Sequence, residues 1–93
     1  MNKQNAKYLQ SYEHEMITAL FADYSRPVTH KVLIDLDSIY TEETGKNLHT
    51  NYSCSSCILR LLRELAKVYF NEYPDRLPER NRTKFERYKI TTK

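Results

Sequence analysis

Glycine and proline are scarce in this chain, which has one glycine and three prolines in 93 residues. All-β sandwiches and barrels need frequent turns, and turns depend largely on Gly, Pro, Asn and Asp. The shortage of Gly and Pro therefore favours helices that are joined by few connections. We expect an all-α fold, in the form of a small three-helix bundle.

Long apolar runs are also missing, since no segment reaches the roughly 18 consecutive apolar residues that are needed to cross a bilayer. The first seven residues, Met-Asn-Lys-Gln-Asn-Ala-Lys, carry no apolar stretch behind their charges and do not resemble a secretory signal. These absences predict a cytoplasmic protein with no membrane partner. In that compartment the two cysteines are expected to stay reduced.

Signatures of catalysis are absent as well, because the sequence has no Gly-rich phosphate loop, no nucleophile elbow and no His-Glu-x-x-His motif. Asp35 and Asp37 lie two positions apart, so on a helix they point in different directions and cannot form a carboxylate pair. A chain of 93 residues has room for one domain without a large enclosed cavity. We therefore expect a protein that is not an enzyme and has no cofactor.

The clearest element that is present is an amphipathic helix over residues 53–70. Its apolar side chains recur at steps of three and four residues and form one stripe, made of Cys54, Cys57, Ile58, Leu61, Leu62, Leu65, Val68 and Tyr69. Ser53 is the predicted N-cap, and the helix is expected to continue to about Asn71 before Pro74. The other helices are expected to bury their apolar faces against this stripe.

Two further helices are predicted upstream. The first runs over residues 4–24 and ends before Pro27, because the residue before a proline is pushed out of the helical region. The second runs from Thr29 or His30 to Thr44, with Thr29 as N-cap and Gly45 as a left-handed C-cap. The alternative to this second helix is a short buried strand over residues 31–36. Residues 1–75 form the three-helix body in this interpretation.

Cys54 and Cys57 begin the third helix and allow three interpretations. In the first, which we favour, they are small apolar residues of the buried stripe, where free cysteine is commonly found. In the second, they are half of a zinc site, in which His49 and either His30 or His14 supply the other ligands. In the third, they are a redox-active dithiol, because a helix N-terminus lowers the pKa of a thiol; against this, no strand precedes the helix as it does in thioredoxin-like proteins.

The last 18 residues, 76–93, form a basic segment. They hold seven Lys or Arg against two Glu, a net charge of +5, whereas residues 1–75 hold eight bases against ten acids, a net charge of −2. Pro78 could begin a short helix there; otherwise the segment is flexible and becomes ordered on a partner. Basic and aromatic side chains together favour contact with phosphate or an acidic protein, and the candidate binding residues are Arg76, Arg80, Arg82, Lys84, Phe85, Arg87, Tyr88 and Lys89.

Two segments carry a resemblance to a known group of proteins. Ile-Tyr-Thr-Glu-Glu-Thr-Gly-Lys at 39–46 and Asn-Tyr-Ser-Cys-Ser-Ser-Cys at 51–57, followed by a leucine-rich helix, resemble small uncharacterised proteins of tailed phages over about a third of the chain. The resemblance implies a phage accessory or virion-associated protein, found in the host cytoplasm or in the virion. It implies no activity and no functional residue.

Together these features predict a non-catalytic helical interaction module whose basic segment contacts a larger protein. The alternative is a nucleic-acid-binding protein that uses the same segment. A third hypothesis is a small zinc-binding or redox protein that acts through Cys54 and Cys57. A helix-turn-helix is not predicted, because the connection between the second and third helices has about eight residues instead of three or four.

Overall fold

Helices account for all the regular structure in the described part of the chain, which is residues 1–22, 24 and 27–85 of a computed structural model. In chain order the elements are α1 (Lys3–Gln10), α2 (Glu13–Ile17), a π-helical turn (Thr18–Ala22), α3 (His30–Thr44), α4 (Ser55–Glu72), a 3-10 turn (Pro74–Arg76) and α5 (Glu79–Phe85). The expected all-α fold is confirmed.

The helix with the apolar stripe, α4, lies at the centre of the fold. Six of its side chains are buried, namely Leu61, Leu62, Leu65, Ala66, Tyr69 and Phe70. Helices α2 and α3, the π-helical turn and the 3-10 turn all pack against α4. The two helices and the π-helical turn contribute apolar side chains to one core. Burial of a large apolar side chain stabilises the folded state by about 1.5–3 kcal/mol, so α4 organises most of the stability of the chain.

The predicted first helix over residues 4–24 is interrupted. After α1 the chain turns at Ser11 and Tyr12, where Tyr12 has φ −118° and ψ 20°. Beyond the turn, α2 and the π-helical turn pack against α4, whereas α1 makes hydrogen bonds to α3 from Asn5 and Tyr8. The prediction of one continuous helix is therefore wrong, because a straight helix could not make both sets of contacts.

Helix α3 begins and ends where the sequence predicts. The Thr29 hydroxyl oxygen accepts a hydrogen bond from the Val32 N–H at 3.4 Å, which caps the N-terminus. Gly45 has φ 74°, a left-handed conformation that an L side chain adopts only with strain. The strand alternative over 31–36 is wrong, because these residues lie inside α3 and place Leu33 and Leu36 in the core.

The start of α4 differs from the prediction by one residue, and the difference involves a cysteine. Cys54, not Ser53, is the N-cap, and its sulfur accepts a hydrogen bond from the Cys57 N–H at 3.2 Å. Cys54 and Cys57 are only partly buried, so they do not belong to the buried stripe. The favoured interpretation of the cysteines is wrong, because the core lies one turn further along α4, where it begins at Leu61.

The first half of the basic segment adds side chains to the core. Leu77 and Phe85 are each 2% exposed, and Asn81 is 9% exposed. The Phe85 ring meets the Phe70 ring edge to face, with 6.3 Å between the ring centroids. Of the two forms predicted for the segment, flexible or short-helical, residues 79–85 adopt the helical one. Residues 86–93 lie outside the described residues.

Candidate functional site

Arg76 is the first of the predicted binding residues, and it forms an ion pair with Glu13 of α2. The Arg76 Nε and Nη2 atoms donate hydrogen bonds to the two Glu13 carboxylate oxygens at 2.6 and 3.1 Å. The Tyr69 hydroxyl donates a third hydrogen bond to Glu13 at 2.6 Å. Paired, charge-assisted bonds of this kind are stronger than neutral ones. Glu13 thus joins α2, α4 and the 3-10 turn.

Arg82 and Phe85 also have structural partners inside the chain. The Arg82 guanidinium donates hydrogen bonds to the backbone carbonyls of Leu77 at 3.1 Å and Asp75 at 3.2 Å. Phe85 lies in the core, so its ring cannot stack on a nucleobase or fill a pocket of a partner. The predicted binding role of Phe85 therefore conflicts with its position, and the guanidinium of Arg82 orders the connection between α4 and α5.

Three predicted binding residues of α5 are exposed, namely Arg80, Arg82 and Lys84. The Arg82 guanidinium is held by backbone carbonyls, whereas the spacing of four residues places Arg80 and Lys84 together on one face of the helix. Arg87, Tyr88 and Lys89 lie outside the described residues. Among the candidates that the structure describes, Arg80 and Lys84 are therefore best placed to meet a partner.

A shallow groove between α1 and the C-terminal end of α4 brings further basic side chains together with aromatic rings. Its volume is about 280 Å³, and its lining consists of Lys3, Ala6, Lys7, Gln10, Tyr69, Tyr73 and Arg76. We call it the basic groove. None of the described carboxylates belongs to its lining, although Glu13 pairs with Arg76 at one end. The basic groove joins one predicted binding residue to two lysines from the other end of the chain.

Sequence reasoning missed Lys3 and Lys7 because it summed charge along the chain. The net charge of −2 for residues 1–75 conceals two lysines spaced four apart at its start. That spacing places both on one face of α1, and this signal was available in the sequence. The packing of α1 beside Tyr73 and Arg76 was not, because it depends on the turn between α1 and α2.

Several acidic side chains lie on or beside α3. Asp37 accepts a hydrogen bond from the Tyr52 hydroxyl at 2.7 Å, whereas Asp35 accepts one from the Tyr8 hydroxyl at 2.9 Å. The two aspartates take different partners, as their spacing predicts. A groove of about 470 Å³ beside α3 is lined partly by Asp37 and Glu42. The groove beside α3 is therefore partly acidic, and Glu42 and Glu43 also accept hydrogen bonds from Asn5 of α1.

Several tyrosines have pKa values above the usual value of about 10. Burial, and then the hydrogen bond to Glu13, raises the pKa of Tyr69 to about 12. Burial, and then the hydrogen bond to Asp37, raises the pKa of Tyr52 to about 12. The same two causes, with Asp35 as acceptor, raise the pKa of Tyr8. The folded state thus favours the neutral phenol at all three positions.

These raised pKa values predict a loss of stability in alkali. A group whose pKa is higher in the folded state stabilises that state fully below its unfolded pKa, and the contribution disappears as pH rises through the folded value. The usual pKa of tyrosine is about 10, and the pKa values of Tyr52 and Tyr69 are raised to about 12. The urea midpoint is therefore expected to fall as pH rises across this range. Tyr69→Phe should reduce that fall, and an unchanged midpoint across this range would contradict the prediction.

The cysteines at the start of α4 are paired with each other. Cys54 and Cys57 form a disulfide, with 5.2 Å between their Cα atoms, which differs from the expectation that both stay reduced. The described residues contain no group of three or more His, Cys, Asp or Glu side chains arranged to hold a metal ion. His49 has a positive φ of 53°, and its backbone N–H donates a hydrogen bond to the Asn47 side chain.

Comparison with known proteins found no match among protein-family models, curated proteins or solved structures. Within residues 1–22, 24 and 27–85, no helix combines the length and the apolar character that crossing a bilayer requires. A function can therefore be inferred only from the surface features of the chain itself.

Proposed function

We propose that this chain is a non-catalytic protein-interaction module that binds an acidic segment of a larger protein in the basic groove. The observation that supports this most directly is the composition of the groove, in which Lys3, Lys7 and Arg76 lie with tyrosine rings and the described residues contribute no carboxylate to the lining. Lysine attracts carboxylates, and the partly exposed Tyr73 ring offers contact area with a polar tip. Tyr69 is 2% exposed and its hydroxyl is bound to Glu13, so it shapes the groove without meeting a partner.

The different linings of the two grooves support the same proposal. An acidic segment that enters the groove beside α3 meets like charge from Asp37 and Glu42, whereas one that enters the basic groove meets Lys3 and Lys7. Complementary potentials of this kind accelerate association and suppress incorrect orientations. Arg80 and Lys84 follow the 3-10 turn on α5 and are exposed, so they extend the positive charge beyond Arg76.

The position of Phe85 favours a protein partner over a nucleic acid. Binding of single strands depends on rings that stack on successive bases, and the predicted stacking ring of Phe85 is buried. A nucleic acid remains the alternative, since exposed lysines also bind phosphate. Four exposed cations are available for phosphate, namely Lys3, Lys7, Arg80 and Lys84. If each contacted one phosphate of duplex DNA, log affinity would fall with log salt at a slope of about −3.6.

The direct test is a charge reversal in the groove. In Lys3→Glu/Lys7→Glu, the affinity for a labelled acidic peptide that contains tyrosine should fall at least about tenfold, as measured by fluorescence anisotropy, which corresponds to about 1.4 kcal/mol. The matched control is Lys46→Glu/Arg60→Glu, which changes net charge equally at exposed positions outside the groove lining. That control should change the affinity less than about threefold.

Two results would contradict the proposal. Equal weakening in both double variants would mean that only net charge matters and that the groove is not a site. Tighter binding of a duplex of about 20 base pairs than of the peptide, with the salt slope given above, would favour the nucleic-acid alternative. The resemblance to proteins of tailed phages stays a prediction; an accessory or virion-associated protein would act by binding a partner of this kind.

A further inference from the structure

The disulfide at the start of α4 lies within a single helix, whereas a structural cross-link joins separate parts of a fold. Cys54 and Cys57 are three residues apart in the chain and belong to the N-cap and first turn of one helix. A disulfide stabilises a fold more when it closes a longer loop. This one joins no two elements of the fold, so opening it leaves the packing of α2 and α3 on α4 in place.

The backbone geometry allows the bond to open and close without rearrangement. The Cα atoms are 5.2 Å apart, which lies within the usual range for a disulfide of about 4.4–6.8 Å. Both residues are partly exposed at the surface and not enclosed in the core, so the disulfide lies where an external reagent can approach it. Cysteines that are fully enclosed in a core lack this access and are inert.

The two sulfur atoms are not equivalent. The Cys54 sulfur lies at the N-cap and accepts a hydrogen bond from the Cys57 N–H at 3.2 Å, and the Ser56 hydroxyl lies 3.4 Å from it. Unpaired N–H groups and the positive end of the helix dipole stabilise negative charge at this place, and α4 has 18 residues. After reduction, the thiolate form is therefore favoured at Cys54.

We infer that Cys54 and Cys57 form a reversible thiol–disulfide couple, in which Cys54 is the attacking sulfur and Cys57 is the resolving sulfur. The inference does not depend on the basic groove. It also does not depend on a thioredoxin-like fold, because the residues that precede α4, 46–54, contain no strand. The substrate class is an external disulfide, either of a small thiol or of a protein.

The exchange proceeds in two balanced steps. The Cys54 thiolate attacks one sulfur of the external disulfide, so that a mixed disulfide forms, the external bond breaks and one half leaves as a thiolate that takes a proton from solvent. Cys57 then loses its proton to solvent and attacks the Cys54 sulfur, which releases the second half as a thiol. Two protein thiols are oxidised and one external disulfide is reduced to two thiols.

The test uses the full chain and two matched serine variants. Serine is itself a good N-cap, so Cys54→Ser keeps the start of α4. Incubation of Cys57→Ser with glutathione disulfide should accumulate a mixed disulfide on Cys54, detected by intact mass. Cys54→Ser should form its adduct on Cys57 at least about tenfold more slowly. Equal rates, or a faster Cys57, would overturn the assigned roles.

The unsubstituted chain supplies the remaining measurements. Equilibration with mixtures of reduced and oxidised glutathione, followed by acid quenching and thiol labelling, should convert the protein between dithiol and disulfide. In a second arm, the reduced protein is mixed with insulin, whose disulfide bonds serve as the protein substrate. Exchange in either arm supports the couple and shows whether a small disulfide or a protein disulfide is the substrate. If no exchange occurs in either arm, the inference is overturned. Loss of the helical circular dichroism signal on reduction would mark a structural disulfide and would also overturn the inference.

Discussion

Phe85→Ala is expected to destabilise the folded state by about 3–5 kcal/mol, which is the usual cost of truncating a buried phenylalanine. The Phe85 side chain is 2% exposed and meets the Phe70 ring edge to face, so its removal leaves a cavity beside α4. Domains of this size have total stabilities of about 5–15 kcal/mol. Thermal unfolding followed by circular dichroism should show Tm lower by at least about 12 °C.

Two comparisons separate this effect from a general sensitivity of α5. Phe85→Leu keeps most of the apolar volume and should cost clearly less than Phe85→Ala. Lys84→Ala changes the exposed neighbour and should stay within about 0.5 kcal/mol of the parent. If Phe85→Ala behaved like Lys84→Ala, α5 would not be part of the core. Deletion of residues 76–93 is unsuitable as a test of binding, because it removes Leu77 and Phe85 from the core.

Glu13→Ala is expected to have the second large effect on stability. The Glu13 carboxylate, 17% exposed, accepts hydrogen bonds from Tyr69 and Arg76. Truncation leaves the buried Tyr69 hydroxyl without this acceptor, which costs about 1–3 kcal/mol. The loss of the ion pair to Arg76 adds to this. Urea denaturation should show a lower midpoint, and the pKa of Tyr69 should fall toward its usual value because one of its raising contacts is lost.

A double-mutant cycle with Tyr69→Phe isolates the hydrogen bond. Once the hydroxyl is absent, Glu13→Ala leaves no orphaned phenol, so it should cost less in the Tyr69→Phe background than in the parent. Equal costs in the two backgrounds would show that Glu13 and Tyr69 are not coupled. Asp75→Asn, which changes an exposed acid nearby, serves as the control and should have a small effect.

Glu13 also bears on the proposed binding function. Its carboxylate occupies two donor atoms of Arg76, so an acidic partner must compete with Glu13 for that guanidinium. Lys3 and Lys7 are exposed and line the groove with Arg76. The groove therefore divides into a lysine end that is free to attract a carboxylate and an arginine end that is held in place by the fold.

Local signals predicted α3 and α4 correctly. The apolar stripe over 53–70 identified α4, and Thr29 and Gly45 identified the two ends of α3. Caps and periodicity act within a few residues, so they can be recognised in the sequence. The first helix was predicted less well: its apolar residues follow helical spacing through the turn at Ser11 and Tyr12, and the spacing does not reveal that α1 and α2 have different packing partners.

The candidate site was predicted only in part, for a related reason. Charge counting found the basic segment, but it did not separate residues that bind within the chain, such as Arg82, from exposed residues, such as Arg80. It also missed Lys3 and Lys7, which reach Arg76 only through folding. The cysteine spacing identified Cys54 and Cys57 as the pattern with chemical potential, yet their partial exposure and pairing depended on where the core begins along α4.

The sequence by itself determined that this protein is all-helical, that α4 organises the core and that positive charge gathers near its C-terminal end. Hydrophobic periodicity, capping residues and net charge are local properties, and each can be evaluated without knowing the neighbours of a residue. Only the tertiary structure decided that Phe85 is a core residue, that Glu13 neutralises Arg76 and that Lys3 and Lys7 complete a groove. Those outcomes depend on contacts between residues that are not neighbours in the sequence, such as Phe70 with Phe85 and Glu13 with Arg76, and no local pattern encodes such a pairing.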